Sequence, residues 1–253
     1  MKKISQHDIE IQENRAHWDR KPVLRRVYRD FYDSIARWTI QAGEGVSLEL
    51  GSGMGNIKET LPDCLTSDLF PNPWLDRVEN AYELNWPDKA VKNLILFDVF
   101  HHLQYPGAAL SEMARVVHPG GRLILFEPGM GWLPRLIMHL FHHEPLGFGR
   151  SIVWETPPDF DPANHAYYAA QGNSWRVFVQ KEGLSQHVLQ DWKVVHVGRE
   201  PGWAWLMCGG LRGPQLYPDA LLPAVRLLEQ GLRLLPSIFA GRLLVVLERK
   251  DQL

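Results

Sequence analysis

LELGSGMGN (48–56) decides the architecture of this chain. The run that leads into it, VSLEL (46–50), reads as a short buried strand, because apolar residues on both faces suit a parallel strand covered on both sides. It ends in Gly51, Gly53 and Gly55, a G-x-G-x-G pattern. Glycine permits a tight turn and lets a ligand approach the backbone, because no Cβ intrudes. A helix is expected to follow, with its free N–H groups aimed at the ligand's polar end. A second strand fits CLTSDL (64–69) and puts Asp68 at its end, where an open α/β sheet offers a carboxylate to ribose hydroxyls. A dinucleotide fingerprint would place its third glycine one residue later. Glu49, two residues before Gly51, suits an ammonium group and repels a phosphate. The pattern therefore favours a compact nucleoside with a charged tail over a pyrophosphate.

Working outward, NLILFDVF (93–100) is a further apolar strand, followed by a helix from about 107 to 117 that HPGG (118–121) is expected to stop. RLILFEP (122–128) is the next buried strand, WKVVHVG (192–198) has strand character, and RLLVVLER (242–249) closes the chain as a last strand, antiparallel to its neighbour. Strands alternating with helices predict a doubly wound, mostly parallel sheet. Upstream, residues 8–42 carry apolar side chains at mixed three- and four-residue steps, and Pro22 starts the second of two helices laid on the main domain. GWLPRLIMHLFHH (131–143) and LLPAVRLLEQGLRLLP (221–236) read as apolar helices. Burial is the ordinary fate of such helices, and contact with a membrane surface is the alternative. NSWRVFVQKEGL (173–184) reads as an amphipathic helix capped by Asn173 or Ser174. The length of 253 residues suits one domain: a helical cap over 1–42, a cofactor-binding half over 43–130, and an acceptor-side half with insertions over 131–253.

Composition excludes several classes. With 27 basic and 29 acidic side chains the net charge is −2, so a nucleic-acid partner is not expected and small or lipid-like acceptors fit better. Cys64 and Cys208 are the two cysteines, without CxxC spacing, which implies reduced thiols, no disulfide framework and no zinc knuckle. The N-terminus has no apolar core after its lysines and is not a signal peptide. No run of about 18 apolar residues occurs, so no spanning helix and a cytoplasmic location are expected.

ELGSGMGN (49–56) resembles motif I of the class I S-adenosylmethionine-dependent methyltransferases. NAYELNWPD (80–88) resembles their third motif, usually D-A-x-x-L-P-F, and residues 94–128 resemble the fourth strand, helix and fifth strand of the type 11 group, including the HHL and RVL-x-PGG signatures. The match covers about residues 46–128. The N-terminal segment and the end of the chain more weakly resemble bacterial members associated with polysaccharide or lipid-linked glycan pathways. The resemblance implies a Rossmann-like seven-stranded sheet with insertions after strands five and six. It also implies S-adenosyl-L-methionine as cofactor and transfer of its methyl group to an oxygen or nitrogen of a small-molecule, glycan or lipid-linked acceptor. Glu49, Gly51 and Gly53 would contact the methionine part, with Ser52 and Gly55 in the same turn. Asp68 would bind the ribose hydroxyls and Leu69 pack beside the adenine. Asn80 and Ala81 would meet the adenine edge, with Asn80 standing where the family has Asp. Phe97 and Asp98 would lie by the cofactor.

His102, His101 and Glu127 follow from position as candidate bases at the acceptor side. His139, His142 and His143 have helical spacing, but with Glu144 as the single carboxylate nearby no metal is expected. Trp154, Tyr167, Tyr168, Trp175, Trp203 and Trp205 line an acceptor pocket or fill the core. Two alternatives stand beside methyl transfer: a chain that binds the cofactor without transferring its methyl, and a nicotinamide-dependent dehydrogenase.

Overall fold

The computed structural model describes residues 6–164 and 167–251, the side chains of 6–12 and 164 excepted. Seven strands form one sheet: β1 (Val46–Leu50), β2 (Leu65–Asp68), β3 (Arg77–Val78), β4 (Val91–Phe97), β5 (Val117–Pro128), β6 (Trp192–Glu200) and β7 (Arg242–Arg249). Their order is β3-β2-β1-β4-β5-β7-β6. Strands β1 to β5 pair in parallel, and β7 runs antiparallel between β5 and β6. The strand order reverses between β1 and β4, and at such a switch point the loops diverge and leave a crevice. The glycine turn after β1 and Asp98 after β4 both lie at that crevice.

Alternation along the central strands builds a core on each face. Leu48, Leu50, Leu94 and Leu96 point to one side, where α3 (Pro106–Val116) lays Ala109, Leu110 and Met113 on them. Ile95, Phe97, Ile124 and Phe126 point to the other side, against the N-terminal cap. That cap is α1 (Gln6–Arg20) and α2 (Pro22–Ala36). Tyr28, Phe31 and Tyr32 of α2 pack on Phe97 with ring centroids 5.3–6.1 Å apart. Burial of such aromatic side chains is worth about 1.5–3 kcal/mol each, so α2 is an integral layer. Arg226 on α7 (Leu222–Leu232) grips Asp30 of α2 through two 2.9 Å hydrogen bonds.

Several expectations need correction. The glycine turn runs into a single 3-10 turn, Asn56–Glu59, in place of a helix. Pro62 follows at once and the chain reaches β2 at Leu65, which leaves no room for further turns. The sheet face a longer helix would cover is filled by α2, with Ile57 and Cys64 in the same apolar cluster. HPGG does not separate helix from strand. β5 starts at Val117, and a register shift between Val91 and Asn93 lets the glycines bulge out, Gly120 at φ +77°. The capped amphipathic helix at 173–184 is the six-residue α5 (Asn173–Phe178), buried at every position, with no side-chain cap. α4 (Trp132–Phe141) ends before His142 and His143, so the three histidines near 140 do not share a helical face.

The apolar helices are largely uncovered. On α4 only Pro134 is buried, while Trp132, Leu140 and Phe141 are 66%, 62% and 83% exposed. The segment after β6 forms α6 (Trp203–Met207), α7 and α8 (Pro236–Phe239), and α8 packs beside α4. Leu227, Leu228, Leu234, Leu235 and Ile238 are exposed there. No helix among the described residues is long and apolar enough to cross a membrane.

Candidate active site

The turn after β1 is fixed by geometry that only glycine meets without strain. Gly51, Gly53 and Gly55 all have φ between +51° and +74°. A Cβ on Gly51 would lie 2.4 Å from Cγ2 of Val99, in the loop after β4, so the two loops touch backbone against side chain. Ser52 locks the turn to β2: its N–H donates to the Ser67 carbonyl at 2.8 Å, and its Oγ accepts from Ser67 N–H at 3.1 Å. Asp68 closes it from the side, Oδ2 accepting from Gly53 N–H at 3.1 Å and Oδ1 from Phe70 N–H at 3.4 Å. Sequence reasoning missed Trp74, whose indole N–H donates to the Gly53 carbonyl at 2.9 Å. No spacing signal marks it.

Beneath this turn Glu49 is 1% exposed, and neither carboxylate oxygen has a hydrogen-bond partner. Burial pushes its pKa up to about 8, and the charge of Asp68 adds to the rise. An orphaned, buried carboxyl is costly unless a partner arrives. An ammonium group is the chemistry it lacks, and S-adenosylmethionine carries one at the amino-acid end. Asp68 has two of about four lone-pair directions committed, so it can still accept from ribose hydroxyls. The residues present therefore fit that cofactor.

Leu69 is exposed, one residue beyond Asp68, and Ala81 packs against the core. Asn80 is already committed: Nδ2 donates to the Pro162 carbonyl at 2.6 Å and Oδ1 accepts from Tyr82 N–H at 3.0 Å. The second bond closes a local turn and the first ties in the excursion between α4 and α5. Phe97 sits in the aromatic cluster on the α2 side. Asp98 has φ +55°, and its Oδ1 accepts from Arg242 Nη1 at 2.5 Å. Arg242 is 2% exposed, with Phe31, Phe97, Phe126 and Trp205 around its guanidinium. This cage was not legible in sequence, because its members come from four distant segments.

Glu127 does not serve as a base for an acceptor. It is fully buried and accepts from the N–H groups of Val99, Phe100 and His101, from His101 Nδ1 at 2.8 Å, and from Ser174 Oγ at 3.0 Å. Burial would raise its pKa, but the charge of His101 and these donors hold it below the usual carboxylate range. Glu127 is the hub that shapes the loop after β4. Burial works against charging His101, yet the field of Glu127 outweighs it and keeps its pKa above the ordinary value. His102 is lowered, by burial first and then by the charge of His101. Its Nδ1 lies 3.0 Å from the Tyr168 carbonyl, its ring 4.1 Å from that of His101 and 5.4 Å from Tyr167. Of the aromatics, Tyr167 and Tyr168 thus reach the mouth; Trp175 is core, Trp154 stacks on His187, Trp205 covers Arg242, and Trp203 bonds the Phe239 carbonyl.

The strand order and the glycine turn over a buried carboxyl agree with the arrangement expected of a class I S-adenosylmethionine-dependent methyltransferase. Residues 48–125 match the family described as a methyltransferase domain. The same fold occurs in the methyltransferase solved with the Trm112 methyltransferase activator of Haloferax volcanii, 16% identical, with 97% of this chain and 96% of that one covered and a TM-score of 0.52. It also occurs in an S-adenosylmethionine-dependent methyltransferase of Thermotoga maritima, 14% identical, with 96% and 99% covered and a TM-score of 0.50. These likenesses show the fold. No curated protein matches the chain.

Proposed function

We propose that the chain methylates an oxygen or nitrogen on an amphiphilic, lipid-linked acceptor presented at a membrane surface. The observation that carries this reading is the uncovered apolar face formed by α4 and α8. α4 begins four residues beyond the end of β5, and α8 ends three residues before β7, whose first residue pairs with Pro128. The face therefore flanks the edge of the sheet that carries the glycine turn and His102. Residues 131–143 and 230–241 contain no Asp or Glu, but they hold Arg135, Arg233, His139, His142 and His143. Arg233 is paired with Glu200 at 2.7 Å, which leaves Arg135 as the arginine at the rim without an ion pair among the described residues. An apolar face with a basic rim suits a lipid surface, where apolar side chains insert and basic groups stay at the headgroups.

Bound S-adenosylmethionine supplies a methyl group already activated by its sulfonium charge. The chain's own residues bind and align. Glu49 takes the ammonium group, Asp68 the ribose hydroxyls, and the glycine turn lets the backbone close on the cofactor. His102, with its Nδ1 hydrogen committed to a carbonyl, keeps Nε2 as acceptor for a hydroxyl proton. Glu49, Asp68 and the glycine turn would hold the sulfonium while its methyl carbon passes to the acceptor atom and the electron pair of the carbon–sulfur bond stays on sulfur.

Sedimentation with vesicles of neutral lipid, with and without an anionic lipid, tests the surface. Binding that grows with anionic lipid, weakens with salt and is lost in Phe141→Ser combined with Leu234→Ser supports it. Label from methyl-labelled cofactor should then appear in the lipid extract of cell membranes. No vesicle binding, or label confined to protein or water-soluble products, overturns the reading. A protein activator on this face, such as accompanies the Haloferax volcanii methyltransferase, is the occupant that result would favour.

A further inference from the structure

We infer that His101, His102 and Glu144 form a binding site for a divalent transition cation of the zinc class at the acceptor side of the mouth. One nitrogen from each imidazole and one carboxylate oxygen of Glu144 all lie within 4.8 Å of one another. Two histidines and a glutamate are a ligand set of catalytic zinc sites, which use three protein ligands and keep a fourth position open.

The hydrogen bonds behind the imidazoles carry the argument further than proximity. The Tyr168 carbonyl can only accept, so the hydrogen of neutral His102 sits on Nδ1 and leaves the Nε2 lone pair free. The Glu127 oxygens already accept from Val99, Phe100 and Ser174, so the neutral His101 ring keeps its hydrogen on Nδ1, and a cation would take the place of any proton on Nε2. Both rings therefore have the outer-shell partner that metal-ligating histidines show, a carboxylate for one and a backbone carbonyl for the other, each fixing tautomer and ring orientation. Glu144 is held in the same manner. Tyr167 Oη donates to Oε1 and Gln171 Nε2 to Oε2, and its side chain is 11% exposed. His142 stands outside the set, with Nδ1 4.0 Å from Glu144 Oε2 and committed to Glu144 N–H at 3.2 Å. The trio comes from the loop after β4 and the excursion after α4, 43 positions apart at its widest, so spacing alone hid it.

A cation here changes the role of His102. Its Nε2 lone pair would hold the metal and no longer accept a proton, and the metal would supply a lowered pKa to a hydroxyl at the open position, whose proton would pass to solvent. That role rests on the methyl-transfer reading; the binding of the cation does not.

The test uses the full chain, stripped by chelator and dialysed, titrated with Zn²⁺ by calorimetry and with Co²⁺ by visible absorption. One equivalent should bind, with the intense absorption of four-coordinate cobalt. Glu144→Gln and His102→Gln should each weaken Zn²⁺ binding by at least about tenfold while circular dichroism stays unchanged. His143→Gln should leave affinity as in the parent. Absence of saturable binding overturns the proposal, as does binding that survives both variants or is lost in His143→Gln. Failure of methyl transfer alone, with stoichiometric metal binding intact, counts against the acceptor reading and leaves the site standing.

Discussion

Replacing Glu49 with Gln should stabilise the cofactor-free chain, and increasingly so as pH rises. Glu49 is buried and unpartnered, with its pKa moved from 4.5 to about 8. A carboxyl whose pKa is higher folded than unfolded costs nothing below pH 4.5, where both states hold the proton. The cost grows as pH climbs toward about 8 and is constant above it. At 1.36 kcal/mol for each tenfold in proton affinity, the contribution falls by about 3 kcal/mol between pH 5 and pH 7, and by about 5 kcal/mol in full. A neutral amide has no such dependence. The gap between Glu49→Gln and the parent should therefore open by about 3 kcal/mol from pH 5 to pH 7. That is roughly 6–12 °C in melting temperature for a chain of this size. Differential scanning calorimetry of both proteins across pH 5–8.5 reads it, and the difference cancels groups titrating elsewhere. A gap that stays flat across that range would refute the picture of an orphaned carboxyl under the turn.

Other outcomes follow from the same geometry. Gly51→Ala adds a Cβ 2.4 Å from Val99 Cγ2 at φ +68°, so it should cost about 1–3 kcal/mol in urea unfolding, and Val99→Ala in the same chain should recover part of it. Arg242→Met breaks the pair with a half-buried Asp98 and should cost about 2–3 kcal/mol by denaturant titration. Ser174→Ala removes one of the donors to buried Glu127 and should cost about 1–2 kcal/mol by the same measurement. The Glu127–His101 pair contributes stability that is lost as pH falls through the lowered carboxyl pKa, and lost as pH rises through the raised imidazole pKa. A Glu127→Gln chain should lack both limbs in a pH series of melting temperatures.

What could be read from sequence was local. The strand–glycine turn–strand–acid succession needs only neighbouring residues, and it gave the sheet, the turn and Asp68 where they stand. β3 is two residues long and offers no periodicity to detect. The helix expected after the turn failed because α2, remote in sequence, covers that face. Glu127 looked available at a strand end; the loop after β4 and Ser174 surround it with donors that no spacing rule connects. The apolar helices defied the burial default, since α4 and α8 cover only part of each other. Glu144 drew notice as a lone carboxylate near three histidines, yet it meets the other two, His101 and His102.

The central claim is that Glu49, the turn at 51–55 and Asp68 together cradle an adenosyl amino acid. Calorimetric titration with S-adenosylhomocysteine at pH 7, in buffers of different ionisation enthalpy, tests it most directly. Pairing an ammonium with a carboxyl whose pKa is about 8 must expel its proton. The account predicts one-to-one binding with release of nearly one proton. Glu49→Gln should abolish that release, and Asp68→Ala should weaken affinity by at least about tenfold. Undetectable binding by the parent, or binding that releases no proton and ignores both substitutions, would contradict it.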